Sequence, residues 1–200
     1  MESAHNYWMK KAIKLAKIGA TKGEVPIGAI LVRHSEDLGT DIIVADAVHN
    51  DVCPQKIAEA YNSKETLNDP TAHAEILVIR EAAKKLNNWR LLDTILYITA
   101  EPCAMCAGAI IQSRIPLIVY GCREERFGAV DSSYQLFNDP RSNHHPEVIS
   151  GILEKECKDL LQAFFETLRR GGRVVEGGSL ENCSTGNCTG GSNPSLSAKT

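Results

Sequence analysis

Strands alternating with helices along the chain predict an α/β protein built around a layered sheet. Three short apolar runs, 24–32, 94–99 and 117–121, have the length and content of buried strands, and segments of helical period lie at 6–22, 72–86 and 103–113. Two of those helices open on start signals, Asp69-Pro70-Thr71 and Glu101-Pro102.

Each element follows from local chemistry. In 6–22, Trp8, Ala12, Leu15, Ala16 and Gly19 form one apolar face, while Lys10, Lys11, Lys14, Lys17 and Lys22 occupy much of the rest. That lysine face reads as a solvated helix surface. The run 24–32 reads as a buried strand with Pro26 near its start, where a missing N–H is tolerated. A polar stretch then runs to about residue 55 and contains a β-like segment, Ile42-Ile43-Val44. The run 56–62 is the next strand. Asp69-Pro70-Thr71 begins a helix that continues through 72–86, apolar at Ile76, Val78, Ile79, Ala82, Ala83 and Leu86. After the strand 94–99, Pro102 occupies the favoured first position of the helix 103–113. The strand 117–121 follows, then a polar loop over 122–146 and one or two helices over 147–170. The domain is therefore expected to span residues 1–170.

The 43% hydrophobic and 24% charged content is that of an ordinary soluble protein, and no apolar run approaches the eighteen or so residues of a membrane span. The first residues carry no basic region followed by an apolar stretch, so no secretory signal is expected and a cytoplasmic location is. Seven cysteines in such a chain argue for metal binding or plain core use over a disulfide framework. The net charge of −3 is unevenly spread. Residues 34–55 hold Glu36, Asp37, Asp41, Asp46 and Asp51 with no Lys or Arg, and the rest of the chain is +2 without them. Net charge therefore does not argue against nucleic acid as a partner. From Gly171 the composition changes: the last 30 residues hold seven Gly and five Ser and are expected to be a disordered tail, 171–200. Cys183 and Cys188 lie in two glycosylation-type sequons there, which a cytosolic chain does not use, and two lone cysteines make half a metal site at best.

Three residues are spaced for one metal ion. His73 lies at the start of one helix, and Cys103-Ala104-Met105-Cys106 puts two thiolates one turn apart at the start of another. Helix N-termini favour the thiolate form. Two Cys and one His leave a fourth tetrahedral position for water, the mark of a catalytic zinc, one per subunit, and such a zinc acidifies that water toward neutral pH. Glu75, two residues from His73, is placed to handle protons. A structural zinc would need a fourth protein ligand, for which Cys122 is the nearby candidate. Cys53, Cys122 and Cys157 otherwise read as small buried fillers. His73-Ala74-Glu75 followed by Pro102-Cys103-x-x-Cys106 matches the H-x-E…P-C-x-x-C pattern of zinc nucleobase deaminases. Spacing alone leaves cytidine, deoxycytidylate, guanine, pterin-pathway and tRNA adenosine deaminases open.

Longer stretches narrow the choice. Residues 5–170 resemble the bacterial tRNA-specific adenosine deaminases in His5-Asn6-Tyr7-Trp8-Met9, Glu24-Val25-Pro26-Ile27-Gly28-Ala29, Asn68-Asp69-Pro70-Thr71-Ala72-His73-Ala74-Glu75, the segment from Glu101 to Ala109, Phe127-Gly128-Ala129, Asn143-His144 and a late helix with Phe164-Phe165. The resemblance covers about four fifths of the chain. It implies a three-layer α/β/α cytidine-deaminase-like fold with a five-stranded mixed sheet, a homodimer, and a tRNA anticodon stem-loop as partner, its wobble adenosine converted to inosine. It also implies that Glu75 moves protons at adenine N1 and at the departing amine, and that Asn62, eleven residues before His73, contacts the flipped nucleotide in preference to Asn50. Val25, Pro26 and Ala74 would help form the substrate pocket, while Arg126, Arg141 and His144, in the loop after the fourth strand, are the RNA-contact candidates. The alternative is a deaminase of a free base or nucleotide such as guanine or cytosine. Two features depart from the family pattern: the acidic insertion at 34–55 between the first two strands, and the Gly/Ser-rich tail.

Overall fold

Alternate residues of a strand point to opposite faces of its sheet, and β1 (Gly28–Arg33) sorts the core accordingly. Ala29 and Leu31 join one apolar cluster, Ile30 and Val32 the other. The structure, a computed structural model, describes residues 3–33 and 54–180, with side chains described as far as Arg169. Five strands form one sheet in the order β2-β1-β3-β4-β5, where β2 is Gln55–Tyr61, β3 Thr94–Ala100, β4 Leu117–Cys122 and β5 Glu147–Ile149. β1 runs antiparallel to β2 and β3, whereas β3, β4 and β5 are mutually parallel, so the sheet is mixed as expected.

Both faces are covered by helices. On one side α3 (Ala74–Lys85) and α4 (Ala104–Ser113) set Val78, Ala82, Ala107 and Ile110 against Leu96, Ile98, Ile118 and Tyr120. On the other, α1 (Ala4–Thr21) sets Trp8, Met9, Ala12 and Ile13 against Ile30, Val32 and Tyr97. The first part of α5 (Glu154–Leu180) adds Cys157, Leu160 and Leu161 to that second cluster. Every residue of β3 and β4 is buried, as strands enclosed between two helical layers require. The lysine face of α1 lies outward, with Lys10, Lys14, Lys17 and Lys22 exposed. Lys22 lies over the Tyr61 ring at 4.9 Å.

Several boundaries differ from those expected. The run 24–32 pairs only from Gly28, because the Ile27 N–H turns back to the Val25 carbonyl at 2.7 Å and the Glu24 side chain is committed elsewhere. Asp69-Pro70-Thr71 is a turn, closed by the Asp69 side chain accepting from Thr71 N–H at 2.8 Å. A short α2 (Lys64–Leu67) precedes it, and α3 begins five residues after Asp69. Pro102 stands just before the N-cap of α4 and not at its first helical position. Residues 147–149 pair with β4 as the edge strand β5, since Val148 and Ile149 fit a half-covered edge too short to show a period. Helix α5 continues to Leu180, past the boundary expected at 170, since extending a formed helix avoids the cost of nucleation even through glycines. Among the described residues, those from Phe165 to Leu180 are a separate unit from those before them. The acidic segment 34–53 with Ile42-Ile43-Val44, Asn50 and Cys53, and the tail from 181, lie outside the described residues. Cys122 and Cys157 are buried free thiols, as expected of core fillers. Among the described residues no helix is long and apolar enough to cross a membrane.

Gly28 is where α1 meets the sheet. A Cβ there would lie 2.8 Å from the Ala16 amide nitrogen and closer still to the Ala12 carbonyl oxygen, both of them backbone atoms that cannot rotate aside. Gly28→Ala should therefore cost about 1–3 kcal/mol of stability, measurable as a lowered urea midpoint. An unchanged midpoint would show that α1 does not approach β1 this closely.

Candidate active site

The site is assembled at the starts of two neighbouring helices. His73 is the N-cap of α3 and Cys103 the N-cap of α4, both with extended backbone at φ −72°. Each cap carbonyl accepts the first helical bond, from Leu77 N–H at 3.0 Å and from Ala107 N–H at 2.8 Å. Neither side chain caps its own helix, so both are free to turn toward one another. The Asn62 side chain takes over the capping of α3, its Oδ1 accepting from Ala74 N–H at 2.9 Å.

The His73 Nδ1 atom lies 3.7 Å from Cys103 Sγ and 3.5 Å from Cys106 Sγ. One ligand atom from each of the three residues fits within 4.8 Å of the others, a spacing able to hold a metal ion. The three groups share protons. The Cys106 thiol, aided by His73, holds Cys103 as a thiolate with its pKa lowered to about 4. Cys106, giving the proton in that contact and buried besides, is pushed up, and the Cys103 thiolate raises the His73 imidazole. Glu75 projects from the first turn of α3 and is 3% exposed. Burial raises its pKa, with His73, Cys103 and Cys106 as its electrostatic neighbours. Its Oε2 is buried with no hydrogen-bond partner among the described residues. An unpaired buried carboxylate oxygen costs a few kcal/mol, so its presence beside a metal-donor cluster marks a working group.

The surrounding segments are fixed by side chains whose structural part the sequence did not reveal. Glu101, at the end of β3, is 4% exposed. Its carboxylate accepts from the backbone N–H groups of Glu124 at 3.1 Å, Val130 at 3.0 Å, Asp131 at 2.8 Å and Ser132 at 3.0 Å, and from the Ser132 hydroxyl. Burial alone would raise this carboxyl, yet these bonds hold it below its ordinary value. The clamped loop presses Gly128 against Cys103 as an isolated antiparallel bridge. A Cβ on Gly128 would collide with the Glu101 carboxyl and the Glu124 carbonyl, so only glycine fits. The sequence signal for Glu101 was an acid placed directly after a strand rich in apolar residues. Glu24 does similar work elsewhere, accepting from Thr66 N–H at 2.7 Å and Glu65 N–H at 3.3 Å, so it fastens α2 to the segment before β1. Asn62 N–H donates to the Ile27 carbonyl at 3.0 Å, tying the segment of Val25 and Pro26 to the Asn62 strand end.

The structure brings His73, Glu75, Cys103 and Cys106 together, with Asn62 and Ala74 adjoining them. The RNA-contact candidates fare differently. Arg126 is exposed on the loop that Glu101 clamps. Arg141 is exposed but grips Asp139 through Nε at 3.0 Å and Nη2 at 2.7 Å. The His144 ring is held by its Nε2 against the Ile115 carbonyl at 2.7 Å, a structural tie.

A family profile described as MafB19-like deaminase matches residues 3–169. The Bacillus subtilis tRNA-specific adenosine deaminase is 44% identical over 163 residues, which are 82% of this chain and 89% of that protein. The chain belongs to the tRNA-specific adenosine deaminase family. The Haemophilus influenzae relative of the same name is 39% identical, covering 88% of this chain and 91% of its own. Among solved structures, one from work on A-to-I editing by tRNA:A34 deaminases at the wobble position of transfer RNA matches with a TM-score of 0.65 at 38% identity, over 77% of this chain and 98% of its own. A Nitrosomonas europaea guanine deaminase shares the fold with a TM-score of 0.60 at 22% identity, over 78% and 81% of the two chains.

The Glu101 clamp carries a pH dependence. Its folded pKa lies below the ordinary 4.5, so the stabilisation it gives is complete above that value and is lost as pH falls through the folded value. Glu101→Gln should lose about 2–3 kcal/mol at pH 7, and its deficit against wild type should shrink below about pH 4. Denaturation curves at pH 7 and pH 3.5 read this. A deficit independent of pH would mean that the ionised carboxylate is not what holds the loop.

Proposed function

We propose that this protein is a zinc-dependent deaminase that converts adenosine to inosine at the wobble position of a tRNA anticodon stem-loop, acting in the cytoplasm as a homodimer. The observation that carries the reading is the buried Glu75 oxygen, without a partner among the described residues, beside three metal-donor side chains. Two thiolates and an imidazole suit zinc, and His73, Cys103 and Cys106 would hold one ion per subunit. Bound there, zinc supplies the acidity that makes water nucleophilic at neutral pH.

The chain's own residues divide the remaining work. Glu75, with its pKa raised by burial, can carry the two protons of the attacking water in turn, one to adenine N1 and one to the departing amine. The net change at C6 is loss of the C–N bond and gain of a C–O bond, with ammonia released. Asn62 has its Oδ1 committed to Ala74 N–H, which leaves its Nδ2 donors to read a base acceptor. Ala74, Val25 and Pro26 wall the pocket, Pro26 being buried and Val25 half-buried. Arg126 meets phosphate more readily than Arg141 or His144, whose polar atoms already have protein partners. The relatives named for tRNA adenosine deamination cover most of this chain and support the choice of substrate.

The zinc-loaded protein, incubated with a wobble-adenosine stem-loop and separately with free adenosine, cytosine and guanine, should release inosine and ammonia from the stem-loop. Glu75→Ala should lower that rate by about 10²–10⁴-fold or more. Ammonia from a free base alone would keep the chemistry and overturn the substrate. Metal analysis by mass spectrometry should give one zinc per wild-type subunit and strongly reduced zinc in Cys106→Ala. Full retention by that variant would remove Cys106 from the ligand set.

A further inference from the structure

Most large apolar side chains near the cluster are buried, but Phe127 is 68% exposed, the highest value among the exposed large hydrophobic residues described. It does not sit on a fraying loop. Glu101 fixes the backbone at Glu124 on one side of it and at Val130, Asp131 and Ser132 on the other. Gly128 N–H donates to the Glu124 carbonyl at 2.8 Å, and Ala129 N–H to the Pro102 carbonyl at 2.8 Å. The Tyr120 hydroxyl, itself at the end of a buried side chain, adds a further tie by donating to Asp131.

The backbone that carries this ring is also placed close to the cluster. Gly128 is bridged to Cys103, and bridged Cα atoms are about 4.5–5.5 Å apart, with the next Cα 3.8 Å along the chain. The Phe127 Cα is thus within about 9 Å of that of a cluster residue. Exposing a phenyl ring on a rigid support is unfavourable for the free protein and gains it nothing in folding. The charged residue beside it, Arg126, is exposed on the same turn.

We propose that Phe127 is a specificity-determining residue whose ring stacks on an unpaired base flanking the target adenosine. The proposal rests on the tRNA reading above. A single-stranded loop offers bases with free faces, and an aromatic ring beside a cation is the chemistry that binds them. The clamp lowers the ordering cost of that contact, because the ring's backbone is already fixed before RNA arrives. Glu101 is accordingly a positioning residue for recognition and does not touch the reacting atoms.

The test uses the full chain and a stem-loop carrying inosine at the wobble position, which cannot react further, with affinity read by fluorescence anisotropy. Phe127→Ala and Phe127→Leu should each weaken binding about tenfold, and Phe127→Tyr should restore it. With 2-aminopurine substituted at each flanking position in turn, wild type and Phe127→Tyr should quench one of the two probes, and Phe127→Leu should not. Equal affinity for all four proteins, while wild type still converts the adenosine stem-loop, overturns the stacking role alone. A stem-loop that wild type neither binds nor converts overturns the substrate reading and the stacking role together. A change of molecular mass on sedimentation of Phe127→Leu would assign the ring to a contact between subunits and overturn the proposal by that route.

Discussion

Two helices that begin side by side fix the chemistry of this molecule. Because His73 and Cys103 are both N-caps, their backbones are extended, their side chains leave the helical lattice, and both helix dipoles point positive ends at one volume. Cys106 then joins from one turn further along α4, and Glu75 from the first turn of α3. The relative placement of these starts is set by β1 and β3, which pair in register beneath α3 and α4, and not by any flexible connection. A shift of one residue in that pairing would turn the inward-facing set of Ala29, Leu31, Leu96 and Ile98 toward the other helical layer. Burial of the core therefore also fixes the metal-donor geometry.

Around that rigid centre the walls are irregular, and irregular backbone near a buried site must find partners for its N–H groups. Three buried polar side chains supply them: Glu101 for the loop after β4, Glu24 for the start of α2, and Asn62 for the start of α3. The two carboxylates are held below their ordinary pKa despite burial, which means that hydrogen bonding outweighs desolvation at both. At Glu75 the balance is reversed, and burial wins. The same residue type is thus a structural anion in two places and, on the function proposed above, a proton carrier in a third. The number of N–H groups aimed at it decides which.

Much of this was legible from the chain alone, for a physical reason. Metal donors are restricted to few residue types at spacings set by helix geometry, so His73, Glu75, Cys103 and Cys106 stand out at once. Strands buried on both faces, β3 and β4, are equally plain as unbroken apolar runs. Elements whose identity depends on tertiary partners were not legible. β5 has three residues and exists because β4 has a free edge, and α2 exists because Glu24 reaches across from another segment. Pro102 fitted the pattern of a first helical residue, yet the bridge between Cys103 and Gly128 makes Cys103 the cap instead. Glu101 reads in the sequence as part of a helix start, because an acid before a proline has many bland uses. Only the fold shows five donors converging on it.

The cluster itself cannot choose a substrate. The Nitrosomonas guanine deaminase shares this fold at 22% identity, so sheet and helices alone are compatible with different bases. Selection must come from the walls, and here most wall polar atoms are already partnered within the protein. On the function proposed above, the groups left to meet a base are the Asn62 amide, whose oxygen is committed, and the Glu75 oxygen, which has no partner among the described residues. A pocket that hydrogen-bonds a substrate group can reject an analogue lacking it by about 10⁴–10⁵, whereas an apolar pocket separates ligands differing by a methylene only about 10–200-fold. Discrimination at the base therefore rests on very few atoms. On the stacking proposed for Phe127, discrimination of the polymer around it falls to the outer surface of the clamped loop, which makes the rigidity given by Glu101 a matter of recognition as much as of stability.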